Sequence, residues 1–516
     1  MCRARYKTER GLRAHVARLG HFTPPDATIH QRIGVPSGSP SPDLLQLLSG
    51  AFTELARQLP PAQALARFLA TCRRMEGSGQ LPPSQMLLRR GHLGRAWQAL
   101  LGEADPAHRL PEPRGEERAR IVGALHPAPL PVSLPPVQHT LGPAPKVTAK
   151  GLEKELRAMK AVAAGPSGLA KAHLLHLCAH AGAAEVFAAA LAQLLASKDW
   201  AALGPLAEFR LKLLPKPGGR WRPIAVQETL LVAFHRLLLR QTPALRRLPP
   251  WQLAFEHLAQ VKAIRRAEEL KRTHHLHTVD VRNAFNSVPH PVILFALHRA
   301  GVPLGTVEYV ASFLAARRAP DLPSVPAGVP QGDPLSMAMF CQCLVWPVEA
   351  SLPQYKVIAY ADDLVLAAAE GVPADRARAD AQAALATVGL TVEPAKCTST
   401  QAGAITFMGT KVLKDAPFTL AQTAARRLHE HIAVLRGAEL SRVDRLRLLS
   451  TCVVPAVNYG PMVDEYPGPS AYADVDAQVT AELAALLEIP EALAKTLALT
   501  PRACYGLGLV LPNQYY

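Results

Sequence analysis

The sequence lacks long apolar runs, an apolar leader and any clustering of cysteines. Its best apolar run, Leu230–Leu239, is interrupted by His235 and Arg236, and no run approaches the ~18–20 residues that a membrane span needs. The N-terminus is basic from Arg3 onward without an apolar segment behind it, which is unlike a secretory signal. The eight cysteines are scattered along the chain, so they do not resemble a disulfide framework. We therefore expect a protein of a reducing compartment that is neither secreted nor embedded in a membrane.

Acidic residues are also scarce relative to basic ones. The 516 residues include 57 Lys and Arg against 41 Asp and Glu, which gives a formal net charge of +16 and a pI of about 9.7. Such an excess favours a polyanionic partner, most simply nucleic acid. Hydrophobic residues make up 49% of the chain, which excludes wholesale disorder, and the length predicts about three to four domains.

Composition divides the chain into regions of different character. The proline-rich stretches 22–43 and 105–147 predict extended linkers, because prolines at this density sustain neither helices nor central strands. Helical spacing of leucines predicts a small helical module at 44–104. Short apolar strands then alternate with helices up to residue 412, which indicates an α+β fold with a mixed sheet. Residues 413–516 begin with a basic helical segment.

Two acidic positions follow apolar strands. Tyr360-Ala361-Asp362-Asp363 lies between apolar runs and predicts a hairpin turn with paired carboxylates, although a plain surface turn would have the same pattern. Asp280 ends another apolar strand, where helix capping is the simpler interpretation. If both strand ends meet in one sheet, their carboxylates form an oxygen-rich site suited to Mg²⁺. A pair of such ions stabilises the attacking and leaving oxygens of phosphoryl transfer, so the pattern suggests nucleotidyl transfer.

Two loops carry further signals. In Gly328–Ser336 (GVPQGDPLS), Gly332 permits close approach of the backbone to a ligand, and Asp333-Pro334 predicts the start of a helix. In Leu213–Ile224 (LLPKPGGRWRPI), a basic hairpin loop is suited to a triphosphate, although any basic surface turn would look alike.

Taken in order, these motifs resemble the reverse transcriptase domain of non-LTR (LINE-type) retrotransposons. The ordered set is KPGGRWRPI, Asp280 with Ala284-Phe285, GVPQGDPLS, YADD, Lys396 and Phe407-Met408-Gly409, and Ala164–Gly168 resembles the family's GPDG element. The resemblance implies a right-hand polymerase fold with fingers at 148–275, a ferredoxin-like palm at 276–412, and a helical thumb with a C-terminal segment at 413–516. The linker-rich helical region precedes it.

The resemblance also implies roles for individual residues. Two Mg²⁺ ions, replaceable by Mn²⁺, would be held by Asp280, Asp362 and Asp363, and Lys396 would act catalytically near the leaving pyrophosphate. The residues that would bind the nucleotide are Lys216, Arg222, Phe285, Gln331, Gly332 and Tyr360, with Phe285 as the steric gate against ribonucleotides. The primer grip would be Phe407, Met408 and Gly409. The implied partners are an RNA template, a DNA primer or target and dNTPs, with no membrane partner.

The sequence departs from the family pattern in several places. Ser167 replaces the usual Asp of GPDG, and Asn286 stands where Asp is frequent. No nuclease-like segment is evident. Residues 1–21 hold Cys2, His15 and His21 at the spacing of the distal part of a C2H2 zinc finger, with chance spacing as the alternative.

We expect an RNA-directed DNA polymerase of a non-LTR retroelement that is nuclear or nucleo-cytoplasmic. Two alternatives stay open. One is an inactive or truncated remnant that only binds nucleic acid, and the other is a polymerase of the group II intron or retron type.

Overall fold

The computed structural model describes residues 33–35, 41–74, 93–104, 112–160, 162–216, 219–408, 410–415, 421–457, 471–500, 507–509 and 511. The predicted zinc-binding residues Cys2, His15 and His21 lie outside these ranges. Within them, no single helix is long and apolar enough to cross a membrane, although one bent helix pair, at 171–197, passes by length and composition.

The N-terminal region contains more regular structure than its prolines predict. Its elements are β1 (Ile33–Val35), α1 (Pro42–Gln58), α2 (Pro61–Thr71), β2 (Cys72–Arg74) and α3 (Leu93–Ala104). Strand β1 pairs with β2 in parallel, and α1 begins directly after Ser41, whose hydroxyl accepts a hydrogen bond from Leu44 N. The linker prediction for 22–43 is therefore wrong at 33–35 and 42–43, because proline is well tolerated in the first turn of a helix.

The predicted helical module at 44–104 is not one unit. Helices α1 and α2 pack on the main core, where the Phe52 ring contacts those of Phe68 and Phe187 at centroid distances of 5.2 Å. Helix α3 belongs to a separate core, in which Trp97 meets His431. The apolar spacing from Leu44 to Leu59 predicts helix α1, but it carries no information about which partner covers the apolar face of a helix.

The second predicted linker, 105–147, is wrong at 115–125, which form a helix, whereas 126–147 contain no helix and no strand. Residues 112–147, here called the strap, contain helix α4 (Gly115–Leu125) and then an extended segment. Val132 and Leu134 pack against the main core, and Thr140 O accepts a hydrogen bond from Leu304 N at 3.0 Å. The strap is thus bound to the main core, because its apolar side chains Val132 and Leu134 pack there.

The fingers form a helical cluster with one long hairpin. The elements are α5 (Ala149–Ala158), α6 (Lys171–His180), α7 (Ala183–Ser197), α8 (Gly204–Ala207), β3 (Phe209–Lys216), β4 (Arg220–Gln227) and α9 (Thr229–Gln241). Strands β3 and β4 are antiparallel, with Phe209 opposite Gln227 and Lys216 opposite Arg220. The predicted basic hairpin is therefore confirmed.

The palm follows. Its elements are α10 (Ala259–Lys271), β5 (His275–Val279), α11 (Ala284–Ser287), α12 (His290–Arg299), α13 (Leu304–Ala316), α14 (Pro334–Ser351), β6 (Lys356–Tyr360), β7 (Asp363–Ala368), α15 (Ala374–Ala386), β8 (Ala404–Phe407) and β9 (Thr410–Leu413). Helix α10 lies inside the range predicted for the fingers, but it packs on the palm strands.

The palm sheet has the order β5-β7-β6 and is antiparallel throughout. Residues 391–400 run beside the free edge of β5, where Thr278 N donates to Thr398 O and Thr400 N donates to Leu276 O. This segment takes the place of the fourth strand of a ferredoxin-like palm. A short 3-10 turn at Pro394–Lys396 interrupts it, since proline cannot donate to the ladder.

The thumb region is helical, as predicted. Its elements are α16 (Ala421–Gly437), α17 (Arg442–Leu448), α18 (Val454–Val457), α19 (Ala473–Leu487) and α20 (Glu491–Leu499). Several of its arginines have partners within the protein: Arg436 pairs with the buried Glu482, and Arg442 pairs with Glu488. The basic run thus stabilises the thumb in part and is not wholly free for a nucleic acid.

Candidate active site

Asp280 and Asp362 are brought to the same end of the palm sheet by its hairpins. Asp280 directly follows β5, and its carbonyl oxygen accepts a hydrogen bond from Glu393 N at 2.8 Å. Asp362 lies in the two-residue turn between β6 and β7, and Asp363 begins β7 opposite Tyr360. The predicted hairpin is confirmed, with the difference that only the first carboxylate of the pair stands in the turn.

The turn depends on a residue that no sequence signal indicated. Ala361 has φ of +55°, a conformation that is rare for a residue with a side chain. The buried Gln252 fixes it, because its amide donates to Ala361 O at 3.1 Å and its oxygen accepts from Ala361 N at 2.9 Å. Gln252 lies 109 residues before Ala361, so local patterns could not connect the two.

The negative charge of Asp280 affects the protonation of Asp362 and Asp363. Burial raises the pKa of Asp362, and the negative charge of Asp280 adds to this effect. Desolvation by the surrounding sheet, with the charges of Asp362 and Asp280, raises the pKa of Asp363 to about 6. Lys396 Nζ donates to Asp280 Oδ1 at 2.9 Å and so balances part of the charge.

These donors suit a hard divalent cation. Repulsion between neighbouring carboxylates falls when a cation binds between them, and Mg²⁺ prefers oxygen ligands. The described residues contain no preformed cluster of three or more His, Cys, Asp or Glu with the arrangement of a metal site. Asp280 and Asp362 would therefore supply only part of a coordination shell, which fits an ion that also binds water and substrate phosphates.

The basic hairpin β3–β4 contributes to the same cavity as the carboxylates. Lys216, Arg220 and Arg222 line the same cavity of about 620 Å³ as Asp280 and Asp362. Burial lowers the pKa of Lys216, and the positive charges of Arg222 and Arg220 lower it further. An anion in the cavity would relieve this repulsion between cations, just as a cation would relieve that between the carboxylates.

The loop before α14 lines the cavity with Gln331, Gly332 and Asp333. Gly332 has φ of +117°, and a Cβ there would lie 3.0 Å from Ala225 O, so only glycine fits without strain. Gln331 O accepts a hydrogen bond from Ala225 N at 2.8 Å, which joins this loop to β4. The Phe285 ring stacks on that of Phe340 at 4.5 Å and also lines the cavity.

A buried polar network supports this loop. No sequence pattern predicted this network. Asp333 caps α14 by accepting from Leu335 N at 2.7 Å, which confirms the predicted helix start. Its other oxygen is 2.5 Å from His235 Nδ1, and His235 Nε2 is 2.7 Å from Tyr309 Oη. In the sequence, His235 is visible only as an interruption of an apolar run.

Helix α4 closes one side of the cavity, which the proline-rich composition of the strap did not suggest. Arg120, Ile121, Ala124 and Leu125 all line it.

The structure brings most of the predicted site residues together. Those that line the common cavity are Lys216, Arg222, Asp280, Phe285, Gln331, Gly332, Asp362 and Lys396. Asp363 and Tyr360 lie beside it in the β6–β7 hairpin without lining it. Of the predicted primer grip, Phe407 is buried in the core beneath the palm, Met408 packs against that core, and Gly409 lies outside the described residues.

The departure at Ser167 has a structural explanation. Ser167 N and Oγ each donate to the buried Glu228 carboxylate at 2.7 Å. Burial raises the pKa of Glu228 to about 7. An aspartate at position 167 would place a second carboxylate against the first, whereas serine supplies a donor.

Part of the chain is similar to known proteins. Residues 214–412 match the family "Reverse transcriptase (RNA-dependent DNA polymerase)". The chain is 30% identical over 195 residues to the Pol polyprotein of the type-1 retrotransposable element R2 from Popillia japonica, covering 31% of this chain and 27% of that protein. It is 30% identical over 223 residues to the R2 polyprotein of Nasonia vitripennis, covering 37% and 22%. The chain thus spans about a quarter of the length of these curated relatives.

Among solved structures, the chain is similar to telomerase from Candida albicans in complex with a fragment of telomeric RNA. The TM-score is 0.34 at 10% identity, with 56% of this chain and 63% of that chain covered. Apo telomerase from Candida tropicalis gives a TM-score of 0.33 at 11% identity, with 55% and 58% covered.

Proposed function

We propose that this chain, whose residues 214–412 are a reverse transcriptase domain of the non-LTR type, is an RNA-directed DNA polymerase that extends a DNA 3′-OH primer on an RNA template. The similarity to R2 polyproteins favours this branch over a group II intron or retron polymerase. The proposed partners are an RNA template, a DNA primer or target and dNTPs. A nuclear or nucleo-cytoplasmic location belongs to the same proposal.

The observation that carries the proposal is the presence of carboxylates and cations in one cavity. Asp280, Asp362, Lys216 and Arg222 all line it, and the positive charges of Lys216 and Arg222 act on Asp362. A dNTP suits both sets of side chains. The cations can bind its anionic phosphates, and the carboxylates can hold the metal cation that its α-phosphate must approach. A cavity of about 620 Å³ falls in the range typical of small-molecule sites.

Each side chain then has a chemical task. Asp280 and Asp362 would hold Mg²⁺, which supplies charge neutralisation at the attacking and leaving oxygens of nucleotidyl transfer. Lys216 and Arg222 would bind the triphosphate, where arginine contacts two oxygens at once. Lys396, which contacts Asp280, would stabilise the leaving pyrophosphate or donate a proton to it.

Three further residues would select or support the substrate. The Phe285 ring is held in place by stacking on Phe340, so it presents a fixed apolar surface to a sugar. A ribose 2′-OH would meet that surface, whereas a deoxyribose would not. Gln331 and Gly332 would support the incoming nucleotide and its template base, since this loop is joined to β4 through Ala225.

The test is primer extension on an RNA template with dNTPs and Mg²⁺ by the full chain. Asp362→Asn keeps the shape of the side chain but removes its charge, and we expect a loss of extension of at least 10³-fold, about 4 kcal/mol in transition-state stabilisation. The matched control is Asp375→Asn at an exposed aspartate of α15, which should extend like the wild type.

Equal extension by wild type and Asp362→Asn would overturn the assignment of the carboxylate. Duplex binding without extension by either protein would replace the proposal with a nucleic-acid-binding remnant.

A further inference from the structure

Helix α4 ends against the segment of the palm that follows Asp280. The carbonyl oxygens of its last two residues, Ala124 and Leu125, accept hydrogen bonds from the side-chain amides of Asn283 and Asn286, both at 3.0 Å. Carbonyls in the last turn of a helix have no partner within the helix. Two asparagines that closely follow Asp280 in the chain therefore cap a helix that lies about 160 residues earlier.

The other face of α4 is fixed to the basic hairpin. Val122 is buried in a small core with Phe209 and Leu211 of β3. Arg118 donates to Leu211 O at 2.7 Å and also pairs with Glu112 and Asp321. The helix is thus held between two parts of the cavity wall, the hairpin that carries Lys216 and the loop that carries Asp280.

Asn286 has a second partner. Its side-chain oxygen accepts a hydrogen bond from Gln331 Nε2 at 3.3 Å, while its NH₂ group donates to Leu125 O. Asn286 is buried, so both contacts are shielded from water. An aspartate could accept from Gln331 but has no hydrogen to donate to a carbonyl when ionised. The amide at this position is therefore the group that can join α4 to Gln331.

We infer that Asn286 is a positioning residue that couples helix α4 to Gln331, so that the N-terminal strap helps to select the incoming nucleotide. The inference rests on the proposed function, since it assigns Gln331 to the nucleotide site. It assigns α4 to the polymerase itself, although the helix precedes the matched domain.

The test compares Asn286→Asp with Asn283→Asp in the full chain. Asn286→Asp breaks the contact to α4 beside Gln331, whereas Asn283→Asp breaks the neighbouring contact to α4 alone. We expect the KM for dNTP to rise about tenfold in Asn286→Asp with kcat within twofold, and to rise less than threefold in Asn283→Asp.

Gln331→Ala supplies the coupling measurement. If Asn286 acts through Gln331, the double variant Asn286→Asp/Gln331→Ala should have a KM within twofold of that of Gln331→Ala alone. If the effects of the two substitutions on KM multiply in the double variant, the inference is overturned. A fall in kcat alone would also overturn it, because a merely structural role lowers the active fraction of the enzyme and leaves KM unchanged.

A second measurement does not depend on activity. Hydrogen exchange of residues 115–125 without substrates should be about tenfold faster in both asparagine variants than in the wild type. If the wild type fails to extend primers, the proposed function fails, and exchange still decides whether these asparagines hold α4. Unchanged exchange in both variants would overturn the inference whatever the polymerase does.

Discussion

Substitution of the buried Glu228 by glutamine should make the protein more stable at neutral and alkaline pH. Burial raises the pKa of this carboxyl from its usual 4.5 to about 7. The folded protein therefore binds the proton more tightly than the unfolded chain does, and the free energy of unfolding falls as the pH rises between these two values. Over this window the loss is about 3 kcal/mol, at 1.36 kcal/mol for each pH unit of difference.

Glu228→Gln removes this titration and keeps much of the local bonding. The amide oxygen can accept from Ser167 N, and the amide NH₂ can donate to Ser167 Oγ in place of the present contact, in which the hydroxyl donates. Because a charge-assisted bond is lost, we expect a net gain of about 1–2 kcal/mol above pH 7.5. Near pH 5 the variant should equal or fall slightly below the wild type.

The assay is urea unfolding followed by tryptophan fluorescence from pH 5 to pH 8.5. The quantity of interest is the difference between variant and wild type, because titrations elsewhere in the chain cancel in it. Ser167→Ala serves as the control, since it weakens the bonding to Glu228 but retains its titration. A difference between Glu228→Gln and wild type that does not change with pH would refute the reasoning.

Three further predictions concern the cavity. Phe285→Val should raise rNTP incorporation relative to dNTP by at least tenfold in kcat/KM, and unchanged selectivity would contradict the steric gate. Gly332→Ala should lower stability by about 1–3 kcal/mol in thermal unfolding, because its φ is unfavourable for alanine and a Cβ would crowd β4. His235→Leu should cost a similar ~1–3 kcal/mol by leaving the buried Asp333 carboxylate without one partner. For either of these two variants, an unfolding midpoint equal to that of the wild type would show that the altered contact does not contribute to stability.

Features set by neighbours in the chain could be predicted from the sequence. The β6–β7 hairpin follows from apolar runs on both sides of Asp362, and the start of α14 follows from Asp333 and the proline after it. The grouping of Asp280 with Asp362 followed from the order of the motifs, which indicates a known family; periodicity alone does not bring the two strands together.

What could not be predicted depends on contacts between distant residues. Gln252 fixes the turn at Ala361 through two hydrogen bonds across the fold, and no local pattern marks it. His235 and Tyr309 are likewise separated by 74 residues and meet only after folding. The strap was predicted wrongly for a different reason. Its prolines indicated an extended linker, but they indicated neither helix α4 nor the packing of Val132 and Leu134 on the core.

The prolines of the strap have an energetic consequence. Residues 112–147 contain eight prolines, and each restricts the unfolded chain to fewer conformations. A compatible proline lowers the free-energy cost of ordering the chain by roughly 0.4–1 kcal/mol, because the unfolded chain has less entropy to lose. An extended segment of this kind can therefore be bound with few hydrogen bonds. The prolines that keep residues 126–147 from forming a helix or a sheet therefore make it less costly to hold α4 in place. Replacing these prolines by alanine should weaken the attachment of α4 without any change in the residues of α4 itself.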